Sequence, residues 1–187
     1  MKKGLLIVVS GPSGVGKGTV LKEVMAENSN IYFSVSATTR DPRPGEIPGV
    51  TYHYLTKEQF LKNIEAGLML EYAEYCDNYY GTLRQAVDRM RDEGKDVLLE
   101  IESCGAMQVM KNCSDAVTIF IAPPSMEELR RRLTERGTEK PEVIESRLAK
   151  AEEEMQHAHL YTHYVVNDTV ENAKNIINQI LAEYKNI

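Results

Sequence analysis

The sequence predicts an α/β fold with a parallel sheet core and two inserted segments. Three observations predict it. Four short runs rich in Val, Ile and Leu, at 5–10, 97–101, 117–122 and 164–166, are continuously apolar rather than alternating, as in strands covered on both faces. Helical stretches with recognisable starts and stops lie between them. The strand–helix rhythm breaks in two places, at about 34–82 and about 126–160.

Taken in order, the first run leads into Gly11-Pro12-Ser13-Gly14-Val15-Gly16-Lys17-Gly18-Thr19 and then a helix with Val20, Leu21, Val24 and Met25 on one face. Segment 34–82 carries Pro42, Pro44 and Pro48 with Gly45 and Gly49, and most of the tyrosines, and reads as an inserted subdomain. Within it Thr56-Lys57-Glu58-Gln59 fits a capping box, and Gly67 stands where a C-terminal cap needs positive φ. Gly94 and Gly137 read in the same way, and Ser125-Met126-Glu127-Glu128 fits a second capping box. Segment 126–160 holds 16 charged residues among 35, so it is expected to form two charged helices, joined by Gly137 to Lys140 with Pro141 at a helix start, that bury little and move. Asp168-Thr169-Val170-Glu171 starts a last helix whose inward face is Ala173, Ile176, Ile177 and Ile180.

At 187 residues the chain is one domain with enough length to bury a core. The expected division is a core at about 1–33, 83–125 and 161–187, a subdomain at 34–82 and the charged segment at 126–160. Lys and Arg number 22 against 28 Asp and Glu, a formal net charge of −6, which argues against a broad nucleic-acid surface. A small phosphorylated ligand stays open, because a few placed cations and backbone amides outweigh the global sign locally. The apolar run after Lys2 and Lys3 is too short for a secretory signal, and no stretch reaches the 18 or so residues of a membrane span. Cys76, Cys104 and Cys113 form no C-x-x-C pair and read as free, partly buried thiols in a reducing cytoplasm. His53, His157, His159 and His163 complete no metal motif.

The segment from Gly11 to Thr19 sits between a strand and a helix, the context a phosphate-binding loop requires. Glycines let consecutive N–H groups converge on a phosphate, the helix N-terminus adds partial positive charge, and Lys17 adds a full one. Gly18 stands where the usual pattern has a hydroxyl, so a magnesium ion is expected to be held through phosphates and water, with Thr19 next in line. Such a loop implies a nucleoside triphosphate. In segment 34–82, Arg40 and Arg43 lie in a proline-stiffened stretch suited to a second phosphate, with Tyr52 and Tyr80 as hydroxyl donors.

The residues now resemble a family. Ser34 to Glu46, after a Gly-Pro-Ser-Gly-Val-Gly-Lys loop, is similar to the guanylate kinases, and the likeness runs on through Gly49-Val50-Thr51-Tyr52, Glu71-Tyr72-Ala73 and Asn78-Tyr79-Tyr80-Gly81-Thr82. It continues at Leu99-Glu100-Ile101-Glu102, Arg136-Gly137-Thr138-Glu139 and Val166-Asn167-Asp168. The resemblance implies a P-loop NTPase-type three-layer fold with a GMP-binding subdomain and a helical lid. It implies a transferase that moves the ATP γ-phosphoryl group to GMP, with Mg²⁺ as cofactor, ATP and GMP as partners, and neither nucleic acid nor membrane. It also implies roles: Gly11 through Thr19 with Arg136 and Asn167 for ATP, and Lys17, Arg40, Arg132, Arg136 and Arg147 for catalysis. Arg40, Arg43, Tyr52 and Tyr80 would hold the GMP phosphate, while Ser36, Glu71, Thr82 and Glu102 would face guanine, Thr82 donating to O6. Thr19 and Glu100 would lie near the magnesium waters, Glu102 would share a sheet face with Glu100, and Arg130 and Arg131 would stay outside. Ser103-Cys104-Gly105 departs from the family pattern, and no role is carried over to Cys104.

Overall fold

In a computed structural model, which describes residues 2–135 and 140–185, the order of elements begins β1 Leu6–Ser10, α1 Lys17–Glu27, β2 Ile31–Phe33, β3 Ala37–Thr38 and β4 His53–Tyr54. There follow α2 Lys57–Glu65, β5 Met69–Tyr75, β6 Asn78–Leu83, α3 Arg84–Asp92, β7 Asp96–Glu100 and α4 Ser103–Asn112. The chain ends with β8 Ala116–Ala122, α5 Met126–Glu135, α6 Pro141–Gln156, a 3₁₀ turn at Ala158–Leu160, β9 His163–Val166 and α7 Val170–Lys185. All four apolar runs are strands, with ends shifted by a residue at most. The residues divide into two compact units, Met1–Val8 with Asn30–Ala116, and Val9–Ser29 with Val117–Ile187.

The first unit holds two sheets. One has the order β2-β7-β1, with β2 and β7 parallel in the register Ile31↔Asp96 to Phe33↔Leu98. Sequence patterning missed the three-residue β2, Ile31-Tyr32-Phe33, which is short and only partly covered. The other sheet has the order β4-β3-β6-β5. Its β5–β6 hairpin turns on Cys76 and Asp77, both at positive φ (48° and 62°), the geometry of a type I′ turn. This sheet packs on α2 through Ala37, Phe60 and Met69, with Tyr79 stacked on Phe60 at 5.5 Å. The capping box at Thr56 and Gln59 starts α2 with both reciprocal bonds. Gly67 and Gly94 have the positive φ expected of them.

In the second unit β8 and β9 are parallel, from Ile119↔His163 to Ala122↔Val166, and α1 packs on α7. Partly buried polar bonds join that pair: Lys174 Nζ donates to Glu27 Oε1 at 2.7 Å, and Asn28 Nδ2 to Asn178 Oδ1 at 2.9 Å. Ile176 is 41% exposed, so the inward face of α7 is Ala173, Ile177, Ile180 and Leu181 instead. The charged segment corrects a second expectation. Leu129 and Leu133 on α5 and Ile144, Leu148 and Ala151 on α6 form a buried cluster of their own. Helical spacing collects these few apolar residues on facing stripes and leaves the charges outside. Arg130 pairs with Glu145, and Arg131 with Glu135, all exposed, and Arg131 also with the half-buried Glu128. The second capping box is half formed: Ser125 Oγ accepts the Glu128 N–H, but the Glu128 carboxylate goes to Arg131 and Arg132. Gly137 lies outside the described residues. Cys76 and Cys104 are exposed rather than partly buried, since one sits at a hairpin tip and the other in the first turn of α4. Among the described residues no helix is long and apolar enough to cross a membrane.

Phe60 has no exposed surface and anchors the small sheet. Phe60→Ala is expected to cost about 3–5 kcal/mol, read as a lower urea midpoint.

Candidate active site

Each unit carries a cavity. In the second, the loop from Gly11 to Gly16 joins β1 to α1 with Gly11, Gly14 and Gly16 at φ of 145°, 89° and 94°. Space matters as much as conformation here. A Cβ on Gly11 would lie 2.1 Å from the Ile121 carbonyl oxygen, and one on Gly14 would lie 2.5 Å from the Leu133 side chain. Gly16 caps α1 in the left-handed region without a side-chain bond, and no acidic residue stands in the first turn. The first-turn N–H groups therefore face an anion site without a competing carboxylate on that turn. Lys17 folds over the loop, Nζ donating to the carbonyls of Gly11 (2.5 Å) and Pro12 (3.2 Å). Gly18 has open space around it, so a side chain there is not excluded by packing.

The cavity beside this loop is about 350 Å³, with Gly16, Thr19, Arg132, Glu135, Asn167 and Asp168 in its lining. Arg132 is tightly placed: Nη1 donates to the Val15 carbonyl at 3.2 Å, Nη2 to the Asn167 carbonyl at 2.9 Å, and Nε to Glu128 at 2.7 Å. Asn167 is 3% exposed and donates Nδ2–H to the same Val15 carbonyl at 2.8 Å. Its Oδ1 is buried without a hydrogen-bond partner, an acceptor that a ligand N–H can satisfy. Arg147 is half-buried on α6 and is not in this lining. Arg136 lies outside the described residues.

The cavity of the first unit is about 470 Å³, and Ser36, Tyr52, Glu71, Tyr80, Glu100 and Glu102 line it. Glu71 is 6% exposed. A bulge in β5 between Met69 and Glu71 sets it directly opposite Thr82 on β6, and Thr82 Oγ1 donates to Glu71 Oε1 at 2.6 Å. Burial pushes the Glu71 carboxyl above the ordinary glutamate value, and the Thr82 bonds oppose that rise. Thr82, 1% exposed, thus stands behind Glu71 rather than in the cavity. Glu102 is exposed and lies past the end of β7, at the N-cap of α4, so the shared strand face with Glu100 does not apply.

The residues expected at the second phosphate form a network with an unexpected centre. Arg40 Nη1 and Nη2 reach Glu46 Oε2 and Oε1 at 3.1 and 2.8 Å. The same carboxylate accepts the Arg43 N–H at 2.7 Å and the Tyr54 hydroxyl at 2.8 Å. The Arg40 guanidinium, with the Arg43 amide and the Tyr54 hydroxyl adding to it, holds the Glu46 carboxyl down to about 2. Arg40 also lies over the Tyr52 ring at 5.6 Å, and Tyr52 meets Tyr80 edge-on at 6.2 Å. Arg43 itself is exposed. Sequence reasoning assigned nothing to Glu46 or Tyr54; the signal available was an acid three residues beyond Arg43 in a turn-rich stretch.

A family profile described as guanylate kinase matches residues 3–184. A guanylate kinase of Clostridium perfringens strain SM101 is 50% identical over 183 residues, covering 98% of this chain and 85% of that protein. The guanylate kinase of Lactococcus lactis strain IL1403 is 52% identical over 180 residues, covering 96% and 88%. The crystal structure of guanylate kinase from Anaplasma phagocytophilum superposes with a TM-score of 0.75 at 36% identity, covering 98% of this chain and 87% of that one. On sequence, length and fold together, the chain belongs to the guanylate kinase family, with its P-loop NTPase fold.

Proposed function

We propose that this chain is a nucleoside monophosphate kinase that transfers the γ-phosphoryl group of ATP to GMP, giving ADP and GDP. Family membership supports the activity, and the buried Glu71 is the observation that carries the choice of base. Guanine presents N1–H and the 2-amino group as adjacent donors, which one carboxylate accepts together. Adenine presents an acceptor at N1 and would leave the buried charge unpaired. Discrimination on the order of 10⁴-fold follows when the site is dry.

In this reading the loop of the second unit holds the ATP phosphates on its N–H groups and Lys17, with Arg132 fixed beside it. Arg136 and Arg147 are the further arginines proposed for the ATP phosphates, and the segment 126–160 is proposed to act as a lid. The Asn167 Oδ1 acceptor suits the adenine 6-amino group. Arg40, Arg43, Tyr52 and Tyr80 hold the GMP phosphate, and Ser36 and Glu102 join Glu71 at the base. A GMP phosphate oxygen bonds to the γ-phosphorus as the bond to the β,γ-bridging oxygen breaks, and ADP leaves. The acceptor is already an anion near neutral pH, so positioning and charge stabilisation supply the catalysis rather than a strong base.

The donor set suits a magnesium ion carried by the nucleotide. Thr19 presents a hydroxyl at the triphosphate cavity, and among the described residues no three His, Cys, Asp or Glu cluster into a metal cage. When bound, the ion neutralises phosphate charge; Thr19 and Glu100 are the residues proposed for its water shell. Cys76, Cys104 and Cys113 form no disulfide among the described residues, in accord with the proposed reducing, cytoplasmic setting.

Three measurements test this reading. Coupled ADP-release assays across GMP, AMP, CMP, UMP and dTMP are expected to give turnover with GMP far above the rest; equal turnover with AMP would refute the base assignment. Lys17→Ala is expected to lose at least about a hundredfold in turnover, and near-normal turnover would remove Lys17 from the mechanism. The pH profile carries the third. Because burial raises the Glu71 pKa above 4.5, kcat/KM for GMP is expected to fall on acidification with a limb above pH 4.5. In Glu71→Gln that limb disappears, leaving only the titration of the GMP phosphate at a lower overall rate constant.

A further inference from the structure

The first turn of α4 lines part of the first-unit cavity, and two α4 residues, Gly105 in that lining and Gln108 one turn further on, bear on where Glu71 sits. Gln108 Oε1 accepts the Tyr72 N–H at 3.1 Å, and Gln108 Nε2 donates to the Tyr72 carbonyl at 2.8 Å. This paired contact mimics a strand residue on the outer side of β5, the edge strand of its sheet. Tyr72 follows Glu71 directly, just beyond the bulge, where the β5 ladder is least regular. Gly105 lies one turn earlier on α4, buried, and a Cβ there would stand 2.5 Å from Glu71 Oε2 and 3.2 Å from its carboxyl carbon. Glycine at 105 is not required by the backbone, which is ordinary helix there. It is required by the carboxylate.

Resting on the GMP reading above, we propose that Gly105 and Gln108 are positioning residues for guanine selection. The missing side chain at 105 lets Oε2 of Glu71 lie against the first turn of α4, while Thr82 holds Oε1 from the other side. The Gln108 clasp sets the separation of α4 from β5, the two elements that carry Glu71, Glu102 and Cys104 around the cavity. Glu71 is thereby held at Oε1 by Thr82 and given room at Oε2 by Gly105 before the substrate arrives, and little reorganisation is left for binding.

The test uses the full chain and follows KM for GMP, KM for ATP, thermal midpoint and the GMP-over-AMP preference. Gly105→Ala is expected to raise KM for GMP at least tenfold and to shrink the preference, with KM for ATP unchanged. Its thermal midpoint should hold, since alanine is the better helix former. Gln108→Ala is expected to shift the same parameters less. The decisive arm repeats Gly105→Ala in a Glu71→Ala background, where no carboxylate remains to be displaced; there the substitution is expected to leave KM for GMP as in the single Glu71→Ala variant. An equal further rise in that background overturns the proposal, as does parallel loss toward ATP and GMP or an unchanged KM for GMP in Gly105→Ala. A parent chain that fails to phosphorylate GMP refutes the functional reading itself, a result separate from any of these.

Discussion

A carboxylate that has to stay charged while nearly out of water governs the first unit. Burial alone pushes the Glu71 carboxyl up, toward its neutral form. Its environment works against that: a bulge aligns it with Thr82, whose hydroxyl donates at 2.6 Å, and the first turn of α4 stands against the second oxygen. The raised pKa has a cost in stability. The folded state binds this proton more tightly than the unfolded chain, so the contribution of Glu71 to stability declines as pH rises from 4.5 through the raised value. Guanine donors would restore what the buried charge lacks, which makes selectivity and stability two aspects of one constraint.

The second constraint is the sign of the chain. A protein with net charge −6 is proposed to hold two polyanions, so attraction has to be local. In the triphosphate loop it comes from backbone, at glycines whose added Cβ atoms would strike Ile121, Leu133 and Asn167. In the first unit it comes from arginines that already have an internal partner. Glu46 engages the Arg40 guanidinium through both oxygens and takes the Arg43 backbone N–H as well, so a phosphate proposed to bind there would meet one guanidinium already held in place and share it with a carboxylate, with the exposed Arg43 side chain beside it.

Much of this was legible in the sequence because the relevant chemistry is contiguous. The phosphate loop puts glycines, lysine and helix start into nine consecutive residues, and the fully buried strands declare themselves by composition. What was not legible depends on register and on pairing across loops. The bond from Thr82 to Glu71 was not legible because it requires knowing that β5 bulges. Glu46 read as nothing because loops have no period from which a partner can be inferred. Ile176 was assigned inward since a helix face drawn from sequence has an uncertain edge. The charged segment seemed unable to bury a surface, whereas five well-spaced residues sufficed.

The most direct test of the central claim is a crystal structure of the chain with GMP bound. The account predicts guanine in the first-unit cavity, with N1 and the 2-amino nitrogen each about 3 Å from the oxygens of Glu71 and the phosphate on Arg40 and Arg43. A base bound elsewhere, or guanine in that cavity with no bond to Glu71, would contradict it.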